Sequence, residues 1–322
     1  MDLSIVIINY NTSGLTAACI NSLTQNISPK IEYEILLVDN GSVDFNKRSF
    51  RLLNPFLKII PNDTNLGFGR ANNLAMKSSI GDYILLLNSD TILLEESING
   101  PFQLINENVD IDVLGIKQIR EDKTELVPRK VYFKEENLKN YILNIPILNK
   151  LISFKKSIGP NSKKTLKVNH LSGAYMLFKR KVFENTGGFD EDFFMYYEET
   201  EWLKRLRKDY NLYYTEYFEF IHLHGRSSSR LIMQYQMHLS RGLFWYKKGV
   251  FYYLLFLMIT YILYLPISIL LLIFHTSKAT RLHFKKYVFI YSKMLKYYFN
   301  IIPFKRYRTH QPNGMLKLNE LV

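Results

Sequence analysis

Apolar and polar positions alternate in blocks along the first 130 residues, and these blocks predict strands and helices in turn. Leu3–Asn9 and Glu34–Val38 are short apolar runs with β-branched residues, and the more polar stretch Thr12–Gln25 between them is compatible with a helix. Further strands and helices are predicted, in alternation, at Leu57–Ile60, Ala71–Lys77, Tyr83–Leu87 and Glu95–Asn106. The alternation favours an α/β fold in which helices flank a mostly parallel, mixed sheet.

The pattern becomes irregular between Lys130 and Lys167, where lysine and asparagine are frequent and proline and glycine interrupt the chain. We interpret residues 130–167 as an insertion or a mobile segment over one side of the site, and a solvated helical excursion remains an open alternative. A regular pattern of apolar and polar positions resumes in Val168–Arg180, and the second half of this segment is typical of a strand. Glu199–Asp209 is amphipathic and predicts a helix.

Val250–Phe274 is a run of 25 residues without a charge. About 20 apolar residues suffice to span a bilayer, so the run is long enough to cross a membrane, although Pro266 could kink it or make it re-entrant. A buried hairpin of apolar helices in a soluble domain is the alternative. We therefore predict a catalytic domain over residues 1–245 and a basic, apolar, membrane-associating region over residues 246–322.

The position of the positive charge argues against nucleic-acid binding. The formal net charge is +13, but residues 241–322 hold 13 Lys and Arg against one acid, whereas the first 240 residues hold 29 against 28. Basic residues that flank an uncharged run fit an anionic membrane surface better than a nucleic-acid interface. The single cysteine excludes an internal disulfide, and the first residues lack a secretory signal, so we expect the catalytic part in the cytosol.

Polar side chains follow three of the predicted strands. The glycine fingerprint of dinucleotide-binding domains and the Gly-Lys-Ser/Thr of a P-loop are both missing after these strands. Instead, carboxylates and amides cluster in VDNGSVD, NLGFGRANN and LLLNSDT, and the carboxyl ends of neighbouring parallel strands meet in one crevice. A crevice rich in hydrogen-bond acceptors needs a cation if it is to hold anionic phosphates. Mg²⁺ or Mn²⁺ suits the carboxylate of Asp90.

The motifs together resemble those of family 2 glycosyltransferases of the GT-A fold, in particular the rhamnosyltransferase-like branch of bacterial surface-polysaccharide synthesis. Over roughly the first 245 residues, the matching stretches are SIVIINYN, VDNGSVD, NLGFGRANN, LLLNSDT, GAYMLFKR, GGFDEDFFMYYEETE and HLHGRS. Each stretch alone is weakly diagnostic, but the set in this order is specific. The resemblance implies an inverting hexosyltransferase that uses a nucleoside-diphosphate sugar linked to dTDP or UDP.

The resemblance also implies where the donor binds. Asp39 is expected to contact the nucleobase, with an Asx-turn or a helix cap as the structural alternative. The expected donor-binding residues are Asn9, Asp39, Asn40, Asp44, Asn65, Gly67, Arg70, Asn72, Asn88 and Ser89.

Asn88 and Asp90 stand at the family's metal-binding Asp-x-Asp position, and Asp90 is the second, more important carboxylate. Because the first position is asparagine here, we expect metal affinity to depend on Asp90, the diphosphate and a histidine. His222 fits the family's His-x-x-Gly-x-Ser pattern, and His224 is the alternative ligand. Asp90 could instead cap a helix that begins at Thr91.

The catalytic base is expected in the run YYEETEW. The family's Glu-Asp motif maps onto Glu198 and Glu199, so Glu199 is predicted to take the proton of the acceptor hydroxyl. Glu198 and Glu201 could serve only as acids favoured in the first turn of a helix. The residues expected on the acceptor side are Gly173, Ala174, Asp190, Glu191 and Arg226.

The basic, apolar C-terminal region matches an acceptor that is both apolar and anionic. We therefore expect a polyprenyl-diphosphate-linked or other glycan acceptor, and a location at the cytoplasmic face of the cell membrane. A catalytically inactive, membrane-associated protein that binds nucleotide sugars or glycans is the alternative, because Asn88 and Glu199 both depart from the family's usual residues.

Overall fold

The computed structural model describes residues 1–133, 136–143, 163–223, 230–274 and 277–301. The chain forms two compact units. The first comprises Met1–Lys134, Ser162–Phe194 and Glu198–Ser228, and the second comprises Glu135–Asn161, Met195–Tyr197 and Ser229–Val322. Much of the predicted insertion over residues 130–167, together with His224, Arg226 and the chain beyond residue 301, lies outside the described residues.

The first unit is built of strands and helices, which alternate from β1 to β4 as predicted. Its strands are β1 (Leu3–Asn9), β2 (Tyr33–Asn40), β3 (Leu57–Asn62), β4 (Tyr83–Asn88), β5 (Thr91–Leu93), β6 (Val113–Ile119), β7 (Thr165–Lys167), β8 (Tyr175–Lys179) and β9 (Leu212–His222). Its α-helices are α1 (Ser13–Asn26), α2 (Lys47–Arg51), α3 (Phe68–Ser78), α4 (Asn99–Glu107), α6 (Arg180–Thr186) and α7 (Glu198–Leu206).

Buried strands separate two apolar layers. Successive side chains of a strand point to opposite faces, so Ile5 and Ile7 of β1 join one core cluster while Val6 joins the other. Leu37 and Leu36 of β2 divide in the same way. Because both faces are covered, these strands are continuous apolar runs, which is the pattern that made them predictable.

The sheet has the order β3-β2-β1-β4-β8-β6-β9-β5, and β7 pairs with β9. Six strands (β1, β2, β3, β4, β6 and β9) run in one direction, and β5, β7 and β8 run in the other. Strand β1 lies between β2 and β4, so the chain reverses its direction of progress across the sheet at this point. Open α/β sheets bind ligands beside the carboxyl ends of the strands at such a position.

The structure corrects the prediction that follows Asp90. Residues Thr91–Leu93 form β5, which pairs antiparallel with Phe220–His222, and α4 begins only at Asn99 rather than at Glu95. Thr91 and Ile92 are β-branched and favour an extended backbone. Asp90 therefore caps no helix at Thr91, and the interpretation of this carboxylate as a helix cap is wrong.

The second unit is helical in its described part. It contains α5 (Leu138–Leu143), α8 (Arg230–Lys248), α9 (Val250–Met258), a π-helical stretch (Ile259–Tyr264), α10 (Leu265–Phe274) and α11 (Lys278–Ile301). The uncharged run is thus helical throughout, with a wide turn immediately before Pro266. Proline lacks an N–H group and crowds the preceding turn, and a π-helical turn is one way in which a helix accommodates it.

Val250–Phe274 is the segment of the described chain that is long and apolar enough to cross a membrane, by length and composition alone. Its mean hydropathy is 2.5, and 28% of its most apolar window is buried within the protein.

Candidate active site

Hydrogen bonds join the carboxyl ends of β1 and β2. The buried Asn9 donates through Nδ2 to Asp39 Oδ1 at 3.3 Å and to Ser42 Oγ at 2.8 Å. Asp39 Oδ1 also accepts the backbone N–H of Ser42 at 3.3 Å, the contact of an Asx-turn. Asp39 therefore shapes the loop after β2 while its carboxylate stays at the end of the strand.

A second chain of hydrogen bonds leads from β1 to the end of β4. Asn9 Oδ1 accepts from Thr16 Oγ1 at 2.6 Å and from Thr12 Oγ1 at 3.3 Å, and Thr12 Oγ1 lies 3.2 Å from Ser89 Oγ. The backbone N–H of Asn88 donates to Ala174 O at 3.1 Å. The polar residues after β1, β2 and β4 thus form one connected group at this edge of the sheet.

Asp90 and His222 lie side by side at the ends of β5 and β9. Asp90 Oδ1 is 3.1 Å from His222 Nε2, and both residues are 8% exposed. The other ring nitrogen, Nδ1, lies 3.0 Å from Gln118 Oε1. A neutral ring with its proton on Nδ1 donates to this amide oxygen and leaves the Nε2 lone pair directed at the Asp90 carboxylate, whereas a proton on Nε2 would be donated to Asp90.

Two lone-pair-bearing atoms that face each other at 3.1 Å fit a shared cation. Neighbouring ligands of an octahedral ion with bonds of about 2.1 Å are separated by about 3.0 Å, and orientation of a ligating histidine by a second hydrogen bond is usual at metal sites. The part of the chain that the structure describes contains no group of three or more His, Cys, Asp or Glu residues placed to hold a metal. Asp90 and His222 thus fit a metal whose remaining ligands come from elsewhere.

Glu199 is placed by the first turn of α7 and by the segment before β8. Its carboxylate accepts the backbone N–H groups of Glu199 and Gly173, and a Cβ added at Gly173 would lie 2.5 Å from Glu199 Oε1. Burial raises the pKa of the Glu199 carboxyl above its ordinary value of 4.5, although the two N–H groups oppose this shift. A partly buried carboxylate with a raised pKa is suited to accept a proton.

The neighbouring acids of α7 have different surroundings. Glu198 is buried, at 2% exposure. Glu201 forms an ion pair with Arg205 at 2.7 Å, and Arg205 donates to the backbone oxygens of Thr186 and Gly188. Glu201 is thus linked through Arg205 to the backbone of residues 186 and 188, which precede α7.

The motifs NLGFGRANN and GGFDEDFF pack against each other. The N–H of Phe68 donates to Phe194 O at 2.7 Å, and Asn73 exchanges two hydrogen bonds with the backbone of Phe189 at 2.8 and 2.9 Å. Gly67 has φ +84°, and a Cβ there would overlap the carbonyl oxygen of Phe194. Several polar residues of these two motifs thus join α3 to the loop over residues 187–194.

Several predicted ligand-binding residues are engaged in this packing. Arg70 donates to Glu191 O at 2.8 Å, and the Glu191 carboxylate accepts from Asn73 at 3.3 Å. Asn72 donates to Phe68 O within its own helix at 2.9 Å. Asp190 accepts the N–H of Asp192 at 3.0 Å, which closes a local turn. Their roles toward donor or acceptor stay predictions.

Other predicted donor-side residues support the loops after β2 and β3. Asn40 Nδ2 donates to Asn65 Oδ1 at 2.9 Å, and the N–H of Leu66 donates to Asn40 Oδ1 at 3.0 Å. Asp44 accepts the N–H of Ser13, the first residue of α1, at 2.9 Å. Hydrogen-bonding residues that the sequence did not single out are Thr12, Thr16, Ser42, Asn73 and Gln118.

The protein family and the curated proteins that this chain resembles are glycosyltransferases. The model of "Glycosyl transferase family 2" matches residues 4–187. The chain is 26% identical over 261 residues to the low-salt glycan biosynthesis hexosyltransferase Agl10 of Haloferax volcanii, covering 78% of this chain and 76% of the relative. It is 33% identical over 144 residues to a poly(ribitol-phosphate) beta-glucosyltransferase of Bacillus spizizenii, covering 42% of this chain but only 22% of that relative.

Solved structures share the fold. The mannosyltransferase PcManGT of Pyrobaculum calidifontis, in complex with GDP-Man and Mn²⁺, has a TM-score of 0.57 at 12% identity, covering 93% of this chain and 87% of that one. TarS 1-349 of Staphylococcus aureus, in complex with UDP, has a TM-score of 0.50 at 19% identity, covering 76% and 65% of the two chains. These likenesses confirm the predicted α/β fold of GT-A type.

Proposed function

Because the chain belongs to glycosyl transferase family 2, we propose that it transfers a hexose from a nucleoside-diphosphate sugar to a hydroxyl of a glycan or polymer acceptor, with inversion at the anomeric carbon. The connected polar group at the carboxyl ends of β1, β2 and β4 is the observation on which the proposal rests. It lies at the position where an open α/β sheet binds a nucleotide.

The donor side of the proposal uses Asp39, Asp90 and His222. Asp39 binds the nucleobase, and its carboxylate is held in place by Asn9. Asp90 and His222 hold Mg²⁺ or Mn²⁺, and their 3.1 Å separation supports this assignment. When bound, the metal neutralises negative charge that develops on the leaving diphosphate.

Glu199 acts as the base. It takes the proton of the acceptor hydroxyl as that oxygen attacks the anomeric carbon, and the bond from that carbon to the diphosphate breaks with its electron pair staying on the nucleotide. The raised pKa of the Glu199 carboxyl supports this role, because a more basic carboxylate is a better proton acceptor. Glu198 is the second acid of the motif and stays an alternative base.

The relatives guide the choice of substrates. One acts on poly(ribitol-phosphate) and another in low-salt glycan biosynthesis, so we propose a cell-envelope glycan or polymer, soluble or polyprenyl-diphosphate-linked, as the acceptor. A UDP- or dTDP-linked sugar, with rhamnose among the candidates, is the proposed donor. The apolar helical run and the basic tail support a location at the cytoplasmic face of the cell membrane.

A thermal-unfolding screen with UDP, dTDP and GDP, with and without Mn²⁺, tests the donor site. A ligand at 100 times its Kd stabilises the native state by about 2.7 kcal/mol. We expect one nucleotide to raise Tm in a manganese-dependent manner, and Asp90→Asn to abolish this rise because it removes a metal ligand. Asp110→Asn is the matched control, since Asp110 is exposed and far along the chain from the motifs.

The screen has two outcomes that contradict the proposal. An unchanged metal dependence in Asp90→Asn would remove Asp90 from the site. A manganese-dependent rise in Tm without hydrolysis or transfer of any sugar nucleotide would instead favour the inactive, nucleotide-sugar-binding protein.

A further inference from the structure

The three residues that precede α7 are held by neighbouring residues of α8. Met195, Tyr196 and Tyr197 belong to the second unit, whereas the residues on either side of them in the chain belong to the first. Met195 O accepts a hydrogen bond from Ser240 Oγ at 2.7 Å, and the Tyr197 hydroxyl oxygen accepts one from Arg241 Nε. Both ends of this short segment are therefore fixed by α8, because Ser240 and Arg241 are consecutive residues.

Arg241, Tyr197 and Glu136 form a closed set of polar contacts. The Tyr197 hydroxyl donates to Glu136 Oε1 at 3.0 Å, and Arg241 Nε lies 3.6 Å from the same oxygen. The guanidinium carbon of Arg241 also lies 5.2 Å from the ring centroid of Tyr141 and 5.4 Å from that of Tyr197, within the range of a cation–π interaction. Because Tyr197 is only 8% exposed, a displacement of its side chain would break several contacts that are shielded from water.

Tyr141 is itself fixed by the π-helical stretch of the apolar run. Its hydroxyl lies 2.8 Å from Thr260 Oγ1, and its backbone oxygen accepts the hydroxyl of Tyr264 at 2.6 Å. The rings of Tyr141 and Tyr264 are stacked, with centroids 4.9 Å apart. A π-helical turn often marks a functional position within a helix. Here it presents two polar side chains to the tyrosine that packs on Arg241, and so helps to determine where the guanidinium lies.

The backbone at Tyr196 and Tyr197 is strained. Their φ angles are +67° and +70°, in the left-handed region that residues with a Cβ seldom adopt. Each such residue costs about 1 to 3 kcal/mol, so the conformation persists only where the surrounding contacts determine it, and strain of this kind clusters at functional sites. The contacts of the Tyr197 side chain with Arg241 and Glu136 provide such a restraint.

Glu199 follows the strained pair closely. It is the second residue of α7, two positions after Tyr197, and its carboxylate accepts the backbone N–H groups of Gly173 and of Glu199 itself. The direction in which the chain enters α7 therefore sets where this carboxylate lies. A general base must lie within hydrogen-bond reach of the proton that it takes, and a displacement of about 1 Å can lower the rate about 10²-fold.

We propose that Arg241 is a positioning residue for sugar transfer. It holds Tyr197 in its left-handed conformation, fixes the backbone at the start of α7 and so places the Glu199 carboxylate, without itself touching the reacting atoms. The proposal rests on the proposed function for the role of Glu199 as the base, but the hold of Arg241 on Tyr197 does not.

The first experiment measures hydrogen exchange of backbone amides by mass spectrometry in the full chain without ligand. In Arg241→Gln, we expect the amides of residues 195–203 to exchange at least about tenfold faster, because the strained segment loses a restraint. Tyr197→Phe removes only the hydroxyl, and we expect an increase of at least about threefold. Arg51→Gln and Tyr217→Phe are the matched controls at exposed positions of the first unit, and should leave this exchange unchanged.

Exchange in β1 and β2 serves as the internal reference. If Arg241→Gln also accelerates exchange there, the variant has unfolded, and Tyr197→Phe decides alone, because it keeps the ring that packs 5.6 Å from Phe244. Unchanged exchange of residues 195–203 in Tyr197→Phe, or an equal increase in the controls, would overturn the proposal.

The second experiment measures steady-state transfer. Arg241→Gln should lower kcat at least about tenfold and leave the donor KM unchanged, because only the base is displaced. Introduced into Glu199→Gln, the same substitution should lower the residual kcat by less than about threefold, since the effects of residues that act as a unit are not additive. An equal loss in both backgrounds, which a purely structural role predicts, would overturn the proposal.

The two experiments together distinguish failure of this proposal from failure of the proposed function. A chain that binds no nucleotide and transfers no sugar, but shows faster exchange in Arg241→Gln and Tyr197→Phe, would refute the sugar transfer and retain the hold of Arg241 on Tyr197. A chain in which Arg241→Gln transfers sugar at the normal rate would refute the positioning role and retain the sugar transfer.

Discussion

The carboxylate of Glu199 gains its properties from its immediate surroundings. Burial favours the protonated form, whereas the N–H groups of Gly173 and Glu199 favour the ionised form, and burial is the larger effect. A side chain at residue 173 would displace the Glu199 carboxylate, because an added Cβ would lie 2.5 Å from Oε1. The geometry that places the Glu199 carboxylate thus also accounts for Gly173, the first residue of the GAYMLFKR motif.

Replacement of Glu199 tests its role as the base. Glu199→Gln should lower kcat by roughly 10² to 10⁴, because the amide accepts no proton, and should leave the nucleotide-dependent rise in Tm unchanged. Sugar transfer and thermal unfolding measure the two effects. Near-normal transfer would shift the assignment to Glu198, whose variant Glu198→Gln serves as the comparison.

The pH dependence of transfer provides an independent check. Only the ionised Glu199 accepts a proton, so kcat/KM should rise with pH through the pKa of this group. Because burial raises the pKa above 4.5, the acidic limb should lie above that value. A profile that is flat above pH 4.5, measured at saturating metal, would contradict the assignment.

The sequence predicted that Asp90 and His222 act together, but it did not identify the residue that contacts the other nitrogen of His222. Asp90 and His222 were expected together and do lie 3.1 Å apart. Gln118, which orients His222, lies in β6 and carries no motif, so no local pattern distinguishes it from an ordinary strand residue. Contacts between residues about a hundred positions apart depend on strand order, which the sequence pattern does not contain.

At the scale of elements, α3 and the loop over residues 187–194 form a joint that depends on glycine. Gly67 adopts φ +84° and lies directly against Phe194, while Gly187 and Gly188 have φ +74° and +76°. These left-handed conformations strain residues that bear a Cβ. Gly67 was predicted to bind the donor, and its contact with Phe194 gives an additional, structural reason for a glycine at this position.

Substitution of a glycine at this joint should lower the free energy of unfolding. Gly67→Ala combines a left-handed alanine with displacement of Phe194, so we expect a loss of about 2 to 4 kcal/mol in the free energy of unfolding. Gly14→Ala is the control, since nothing lies within 4 Å of its added Cβ and the residue is in α1. It should be neutral or stabilising by up to about 1 kcal/mol. Denaturant unfolding compares the two, and equal effects would contradict the account.

Element boundaries show where sequence patterns are informative. Strand β1 was predicted with its observed bounds, because an apolar run buried on both faces stands out from its neighbours. Strand β5 has only three residues and follows Asp90 directly, so its pattern is too short to be separated from a helix start. Pairing with β9 determines its conformation.

At the scale of the whole molecule, net positive charge and exposed apolar side chains are concentrated in the C-terminal part of the chain. Val250–Phe274 exposes several large apolar side chains, among them Leu270 at 52%, and basic residues flank it. Exposed apolar surface of this extent is typical of contact with lipid or with another protein. We propose that the segment associates with the membrane.

Charge placed in this segment tests the proposal. Leu263→Lys/Leu270→Lys should release the protein from membranes, because each buried lysine costs about 2.5 to 3.5 kcal/mol at the centre of a bilayer. Leu52→Lys/Val109→Lys adds the same charge at positions that are 82% and 83% exposed in the first unit, and should leave membrane association unchanged. Membrane flotation measures both. Retention of the first variant on membranes would contradict a lipid-contacting role for the segment.

The three residues Met195–Tyr197 limit where a fragment of this protein can end. These residues belong to the second unit, although Glu198, which follows them, begins α7 of the first unit. Within the second unit, Met195 O accepts a hydrogen bond from Ser240, and the Tyr197 hydroxyl contacts Arg241 and Glu136. Tyr196 and Tyr197 adopt φ +67° and +70°, a conformation that such contacts must maintain. A fragment that ends with the family match at residue 187 would lack Glu199, and one that ends at residue 228 would lack the partners of Tyr197. An expression fragment that preserves the entrance to α7 therefore has to extend through α8.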